Sequence, residues 1–224
     1  MDGVLAQVPL FAALEDDAAA SLSALLSTRS VPRGHVVFRE GDTGDRLFVV
    51  IDGKVKISRT SNDGRENLLA VLGSAEMFGE LSLFDPGPRT ATVSAVTDAV
   101  LASLDHDDLR PLLLERPAVA VQLLQALAQR LRRTNEAMAD LVFTDVPGRV
   151  AKALLDLAEK FGVSEPDGTR VRHDLTQEEL AQLVGASRET VNKALSEFAS
   201  RGWLRLEGRT VLLLDSERLT RRAR

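Results

Sequence analysis

The chain has 224 residues, 44% of them hydrophobic, so it can bury a sizeable core and has room for two domains. It contains no cysteine, which excludes disulfides, cysteine-ligated iron–sulfur clusters and thiol catalysis. The net charge is −5, and no run approaches the roughly 18 apolar residues of a membrane helix or shows the basic start of a signal peptide, so we expect a soluble, cytoplasmic protein.

The first half of the chain is predicted to open with a short helix over residues 15–26 and to continue as a β-rich domain. Residues 34–104 alternate short β-branched runs with glycine turns, a spacing typical of a small double-sheet roll or barrel. The segment 48–57 predicts a hairpin around Asp52-Gly53, because Asp-Gly favours a type I′ turn. Further strands are predicted at residues 90–96 and 99–104.

One segment of this β-rich region suits a ligand better than a scaffold. Residues 78–91 combine bare backbone amides with a carboxylate, a guanidinium and a hydroxyl, supplied by Glu80, Arg89 and Thr90. Amides, arginine and threonine suit an anion such as phosphate, whereas glutamate suits a sugar hydroxyl. The alternative is an ordinary connecting loop with a surface salt bridge.

A long amphipathic helix is predicted over residues 117–142, with Pro117 in its first turn. Along it, residues recur at the alternating spacings of three and four that indicate a two-stranded coiled-coil seam. The seam consists of Leu124, Leu127, Leu131, Thr134, Met138 and Leu141. We therefore predict a homodimer; the alternative is that the stripe packs on the β-rich domain. Leu123 and Ala126 lie off the seam and are expected to face that domain.

Thr134 interrupts the apolar seam, and Asn135 lies beside it. A single polar seam residue often only fixes the register of two helices. The same two side chains at a dimer axis can also hydrogen-bond a ligand base. Both interpretations stay open.

The strongest functional pattern is a predicted helix–turn–helix over residues 176–195. Thr176 and Glu179 have capping-box spacing, Gly185 permits a left-handed turn, and Ser187 can cap the second helix. The second helix has an apolar back, formed by Val191, Ala194, Leu195 and Phe198. Its polar front consists of Arg188, Glu189, Asn192 and Lys193. Arginine and lysine suit guanine O6 and N7, and glutamate suits the cytosine amine. The alternative is an amphipathic hairpin with a solvated face, but caps, turn and flanking strands together favour DNA binding.

Residues 203–214 predict two strands around Glu207-Gly208, which form a wing after the recognition helix. Arg201, Arg205 and Arg209 are candidate phosphate contacts. Residues 1–144 carry 14 basic and 20 acidic side chains, a net charge of −6, and residues 145–224 carry 14 and 13, a net charge of +1. The affinity for DNA must therefore depend on where the charges lie.

Together these motifs resemble the cyclic-AMP receptor protein branch of the CRP/FNR transcription regulators, from Leu10 to about Arg218. The similarity is carried by Gly79-Glu80-Leu81 with Arg89-Thr90 and by Ser187-Arg188-Glu189-Thr190-Val191. It implies an α+β fold with an N-terminal double-stranded β-roll that binds cyclic nucleotides, a long dimerisation helix and a C-terminal winged helix–turn–helix domain. The corresponding ranges are 1–116 for the roll, 117–143 for the helix, 144–149 for a hinge and 150–224 for the DNA-binding domain.

The resemblance also assigns ligand roles, with cAMP as an allosteric effector and no cofactor or metal. Arg89, Thr90 and nearby amides would hold the cyclic phosphate, and Glu80 the ribose 2′-hydroxyl. Arg130 of the long helix would lie near that glutamate. The complete implied ligand set is Gly79, Glu80, Leu81, Arg89, Thr90, Arg130, Thr134 and Asn135.

Adenine would contact Thr134 of one subunit and Asn135 of the other, although the family often has serine at the second position. The DNA contacts are assigned to Ser187, Arg188, Glu189, Thr190 and Lys193. Lys193 stands where the family has arginine, and it loses the planar fork of that side chain. The resemblance thus implies palindromic operator DNA of the TGTGA type and RNA polymerase as partners.

Three other functions can be weighed against this one. A haem-based gas sensor of the same family would need an axial ligand, and His35, His106 and His173 lie outside the ligand loop. An enzyme is disfavoured, since the chain has no P-loop, no Gly-x-Ser-x-Gly elbow and no His-Glu-x-x-His. The remaining alternative is a DNA-binding regulator of the same fold with weak, altered or no nucleotide dependence.

Overall fold

The computed structural model describes residues 6–8, 16–61, 63–85, 87–115 and 117–223. The chain forms two compact units: residues 1–59 with 69–133, and residues 60–68 with 134–224. Within the described ranges, no helix is long and apolar enough to cross a membrane.

The first unit contains the double-sheet roll that the glycine spacing predicts. Its helices are α1 (Asp16–Leu25), α2 (Leu81–Phe84), α3 (His106–Glu115) and the first part of α4 (Pro117–Phe143). The strands of the roll are β1 (Ser27–Val31), β2 (Val36–Phe38), β3 (Arg46–Asp52), β4 (Val55–Thr60), β5 (Glu66–Leu72), β6 (Met77–Phe78), β7 (Thr92–Ala95) and β8 (Ala99–Asp105), of which β4 and β5 each include residues of the range 60–68. They form two four-stranded sheets with the orders β1-β8-β3-β6 and β2-β7-β4-β5.

Strand β3 shows how the core of this unit is divided, because successive side chains of a strand point to opposite faces. Leu47 and Val49 pack with helical residues in one buried cluster, which includes Leu123 of α4. Phe48 and Val50 join a second cluster between the two sheets. The burial of Leu123 confirms that this residue faces the roll.

The predicted hairpin around Asp52-Gly53 is wrong. Gly53 has the expected left-handed φ of +81°, but β3 and β4 lie in different sheets. Strand β3 pairs antiparallel with β8 and β6, and β4 pairs antiparallel with β7. A Cβ at residue 53 would lie 2.3 Å from the carbonyl oxygen of Asp98, so close backbone packing requires this glycine. The local Asp-Gly signal marks a turn correctly but does not decide which strands pair.

The second unit contains the remaining helices and one further sheet. The helices are the end of α4, α5 (Val146–Phe161), α6 (Gln177–Val184), α7 (Arg188–Ser200) and α8 (Ser216–Arg222). The strands are β9 (Gly162–Glu165), β10 (Gly168–Arg172), β11 (Leu204–Glu207) and β12 (Thr210–Leu213). They form one sheet in the order β11-β12-β10-β9.

Strands β11 and β12 are the predicted wing, and they pair antiparallel around Gly208, whose φ is +70°. The β9–β10 hairpin was not predicted. Its turn is Pro166-Asp167, followed by Gly168, a sequence that favours turns, but both strands are short; β9 is mostly exposed, and β10 is mostly half-buried. Hydrophobic alternation therefore gives little signal there.

The break between α4 and α5 is confined to Thr144 and Asp145, so residues 146–149 of the proposed hinge form the first turn of α5. Asp145 caps α5, since its Oδ1 accepts a hydrogen bond from the Gly148 amide at 3.0 Å. Its Oδ2 pairs with Arg222 of α8 at 2.6 Å. Helix α8, which the sequence did not predict, packs on α5 and fixes the start of that helix.

Candidate functional site

One small cavity in the first unit collects most of the predicted ligand residues. Its volume is about 40 Å³, and its lining includes Gly79, Glu80, Leu81, Arg89, Thr90 and Arg130. The chain leaves β6 through left-handed Gly79, with a φ of +79°, and α2 follows directly. Thr134 and Asn135 are exposed residues of α4 that belong to the second unit, so their role at a nucleotide stays a prediction.

Arg89 is a buried cation in this cavity, with only 4% of its surface exposed. Its Nη1 donates to the carbonyl oxygen of Gly79 at 2.8 Å, and its Nη2 donates to that of Arg46 at 2.7 Å. Burial lowers the pKa of the guanidinium, an effect that the charge of nearby Asp45 opposes. The Nε donor has no partner among the described residues. A buried cation with unused donors fits a small anion.

Glu80 supplies the complementary chemistry beside it. The residue is 1% exposed, and its Oε1 accepts a hydrogen bond from Nη1 of Arg130 at 2.7 Å. Its Oε2 is buried without a partner in the described part of the chain. An unsatisfied buried acceptor costs about 1–3 kcal/mol, which a hydroxyl donor from a ligand can offset. This oxygen is therefore suited to a sugar hydroxyl.

Gly44 belongs to the same site, although sequence reasoning missed it. A Cβ on this residue would lie 2.2 Å from Oγ of Ser82 and 3.3 Å from Cζ of Arg89. A Cβ on Gly79 would lie 2.8 Å from Nη1 of Arg89. Both glycines thus allow the chain to approach the guanidinium. Gly44 precedes the 78–91 segment by a long stretch of sequence, and no local pattern links the two.

In the second unit, α6 and α7 form the predicted helix–turn–helix with its predicted caps. The Thr176 hydroxyl accepts from the Glu179 amide at 3.1 Å, and the Glu179 carboxylate accepts from the Thr176 amide at 2.7 Å. Gly185 has the left-handed φ of +69° and ψ of 43°. The Ser187 hydroxyl accepts from the Thr190 amide at 3.2 Å and caps α7.

Helix α7 has the two faces that its sequence predicts. Its buried face consists of Val191, Ala194, Leu195 and Phe198. Ser187, Arg188, Glu189, Thr190 and Lys193 are exposed. Throughout the described residues, Arg188, Glu189 and Lys193 form no ion pair, so their polar groups are available to an external partner.

The three candidate phosphate contacts near the wing differ in their surroundings. Arg201 pairs with Glu197 at 2.7 Å, and Arg205 pairs with Glu207 at 2.8 Å. Arg209 instead lines an open depression of about 300 Å³, which it shares with Arg188 and the start of α6. The contact of Arg209 with a phosphate stays a prediction, as do those of the other two.

Arg149 is a connecting residue that sequence reasoning missed. Its Nη1 donates to the carbonyl oxygen of Thr144 at 2.8 Å, and its Nε donates to that of Val184 at 3.1 Å. The last carbonyls of a helix lack partners within the helix, and arginine donors can satisfy them. The side chain thus connects the break after α4 with the turn before the recognition helix. Arginine is common near the start of a helix, so its position in the sequence does not indicate that it connects these two segments.

The predicted seam of α4 is largely exposed. Leu124, Leu131, Met138 and Leu141 are between 56% and 65% exposed. Leu127 is half-buried, and Thr134 is exposed. Leu141 also lies against the turn at Gly185, where an added Cβ would be 3.0 Å from its Cδ2. A long exposed apolar row of this kind indicates an interaction surface.

Comparisons with known proteins decide the family. Residues 28–116 match the model of a cyclic nucleotide-binding domain, and residues 148–222 match that of a Crp-like helix-turn-helix domain. A CRP-like cAMP-activated global transcriptional regulator of Mycobacterium tuberculosis is 59% identical over 224 residues, which is 100% of both chains. The chain belongs to the CRP family of transcription regulators.

Two further proteins are similar to this CRP-family protein. The cyclic AMP receptor protein of Thermus thermophilus is 38% identical over 203 residues, 91% of each chain. The solved structure of the c-di-GMP responsive global regulator CLP of Xanthomonas campestris is 32% identical, with a TM-score of 0.77 over 89% of this chain and 99% of that one.

Family membership confirms several predictions. The fold is the predicted α+β combination of a cyclic-nucleotide-binding domain and a helix–turn–helix domain. The relatives of this CRP-family protein are transcription regulators and not enzymes. A cyclic nucleotide therefore acts in this family as an effector and not as a cofactor.

Proposed function

We propose that this protein is a homodimeric transcription regulator that responds to cAMP and binds palindromic operator DNA of the TGTGA type. The observation that carries the proposal is the pair of buried unpartnered atoms in one cavity, Nε of Arg89 and Oε2 of Glu80. One is a cationic donor and the other an anionic acceptor. A ribose 3′,5′-cyclic phosphate carries both complements, an anionic phosphate and a free 2′-hydroxyl.

The small volume of the cavity indicates that its lining changes when a nucleotide binds. Ligand pockets commonly enclose about 300–1,000 Å³, whereas this cavity measures about 40 Å³. We therefore expect a bound nucleotide to widen the cavity, and Arg130, which pairs with Glu80 and whose side chain is 43% exposed, is a lining residue that can move. A ligand that binds the widened state more tightly than the narrow state shifts the protein toward the widened state.

The same proposal includes the dimer and its partners. Two copies of α4 would pair along the exposed seam, with Thr134 of one subunit and Asn135 of the other against adenine. Two recognition helices would then lie about 34 Å apart and reach successive major grooves. The ranges 1–116, 117–143, 144–149 and 150–224 remain our division of the chain, with RNA polymerase as the partner at promoters and the cytoplasm as the site of action.

A specific observation favours a second candidate, a regulator of the same fold with an altered effector. The Xanthomonas relative is described as responsive to c-di-GMP, and Asn135 departs from the residue that the family often has. Calorimetric titration with cAMP, cGMP and c-di-GMP separates the candidates. We expect saturable binding of cAMP, with one site per subunit and weaker binding of cGMP. Binding of c-di-GMP alone, or of none of the three, would favour the second candidate.

Replacing Gly44 by alanine is expected to weaken cAMP binding. The new methyl group would collide with Ser82 and press on the Arg89 guanidinium, and overpacking of this kind typically costs about 1–3 kcal/mol. The matched control is Gly87→Ala in the ligand segment, where an added Cβ meets only one atom, at 3.8 Å. Calorimetry should show at least a several-fold loss for Gly44→Ala and none for Gly87→Ala. Equal affinities would show that the approach of Gly44 to Arg89 does not matter for the ligand.

Replacing Arg188 by alanine is expected to weaken operator binding by about 1–3 kcal/mol and to relax one base position, because bidentate arginine contacts discriminate guanine. Fluorescence anisotropy with the operator and with single-base variants measures both effects. Arg218→Ala on exposed α8 is the control and should bind as the wild type does. If Arg188→Ala weakens every sequence equally, Arg188 contacts only phosphate.

A further inference from the structure

Arg89 is a buried cation without an anionic partner among the described residues. Its two hydrogen-bonded contacts are neutral carbonyl oxygens. Asp45 and Glu80 act on the guanidinium through space, and neither pairs with it in the described ranges. An unpaired charge is costly to remove from water. Another group must therefore stabilise this guanidinium in the ligand-free protein.

The face of a phenylalanine ring lies against the guanidinium. Cζ of Arg89 is 4.3 Å from the ring centroid of Phe38 and 5.9 Å from that of Phe48. The negative face of an aromatic ring attracts a cation within about 6 Å, and the attraction increases when both groups are desolvated. Phe38, at the shorter distance, is therefore the principal aromatic contact.

Two other rings fix the position of Phe38. Its centroid lies 5.8 Å from that of Phe48 and 5.9 Å from that of Phe78, and those two rings stack at 5.2 Å with 13° between their planes. Phe48 and Phe78 are register partners in one sheet, and Phe38 ends strand β2 of the other. The aromatic contact of Arg89 is thus anchored in both sheets of the roll.

We infer that Phe38 is a positioning residue for phosphate recognition: its ring face holds the Arg89 guanidinium at the cavity that Glu80 and Thr90 also line. The inference rests on the proposed function, because the anion is the phosphate of a cyclic nucleotide. Phe38 borders that same cavity and is only partly buried, so it is more than a residue of the closed core. The competing explanation is that the ring only fills space between the sheets.

Fluorination of the ring separates the two explanations. We would replace Phe38 by 3,4,5-trifluorophenylalanine, which keeps the ring but weakens its negative face, and separately make Phe38→Leu. Calorimetry with cAMP should show about a tenfold loss of affinity for both proteins, and the fluorinated protein should still unfold in one cooperative thermal transition. The control is the same fluorinated residue at Phe161, which should bind cAMP as the wild type does. Wild-type affinity in the protein fluorinated at position 38 would overturn the inference.

A measurement on ligand-free protein tests the contact between Phe38 and Arg89 independently of cAMP binding. The Nε–H resonance of Arg89, assigned through an Arg89→Lys spectrum, should be shifted to high field by the Phe38 ring current and should lose that shift in Phe38→Leu. An unshifted resonance in the wild type would overturn the inference without any ligand. Absence of cAMP binding in the wild type, with the shifted resonance present, would overturn the proposed function and leave the ring–guanidinium contact established.

Discussion

Arg89→Ala is expected to abolish cAMP binding. The substitution removes the buried cation of the cavity, and loss of one partner from a buried charge pair typically costs about 2–5 kcal/mol, roughly 30- to 4,000-fold in affinity. Calorimetric titration with cAMP measures the loss. Arg46→Ala is the matched control, because it removes a neighbouring guanidinium but keeps the carbonyl oxygen that Arg89 contacts.

The two outcomes of this titration are distinct. Wild-type affinity in Arg89→Ala would contradict the assignment of the phosphate site. Thermal unfolding should accompany the titration, since the substitution also leaves two carbonyl oxygens without a donor. Glu80→Ala adds a finer test: it should weaken cAMP but leave the affinity for 2′-deoxy-cAMP unchanged, because only the first ligand offers the 2′-hydroxyl.

The second large effect is expected for the dimer. Leu131→Glu or Leu127→Glu would place one carboxylate from each subunit at the proposed two-fold axis, and an uncompensated buried charge typically costs about 3–5 kcal/mol. Sedimentation at micromolar concentration should show a dimer for the wild type and a monomer for each variant. Gln129→Glu is the control, because this residue lies on the opposite, exposed side of α4.

The sedimentation experiment can also contradict the proposal. A wild-type monomer at micromolar concentration would show that the exposed apolar row of α4 is not a dimer seam. A dimer that persists in both glutamate variants would place the interface elsewhere. The exposed fraction of Leu131, 62%, is the observation that makes the first result unexpected.

The elements that the sequence predicts well depend on local chemistry. The caps at Thr176 and Ser187 and the left-handed Gly185 follow from residue types at fixed spacing, and all three take the expected form. The faces of α7 follow from helical periodicity in the same way. Arg89 and Glu80 stood out because a guanidinium and a carboxylate share one short loop segment with bare backbone amides.

The elements that the sequence did not predict depend on distant partners. Asp52-Gly53 has the composition of a hairpin turn, but β3 and β4 pair with other strands and therefore lie in different sheets. The approach of Gly44 to Arg89 and the contact of Phe38 with Arg89 join residues far apart in the chain. No spacing rule relates such positions, because the fold itself creates their proximity.

The central claim is that cAMP raises the affinity of this protein for its operator, and one measurement tests it most directly. Wild-type protein is titrated into a fluorescent palindromic TGTGA-type duplex with and without saturating cAMP, at one fixed salt concentration, with a scrambled duplex as the control. Allosteric coupling is typically about 1–3 kcal/mol, so we expect the anisotropy midpoint to fall about 5- to 150-fold with cAMP on the operator only. Equal midpoints with and without cAMP, in protein that calorimetry shows to be saturated, would contradict the account.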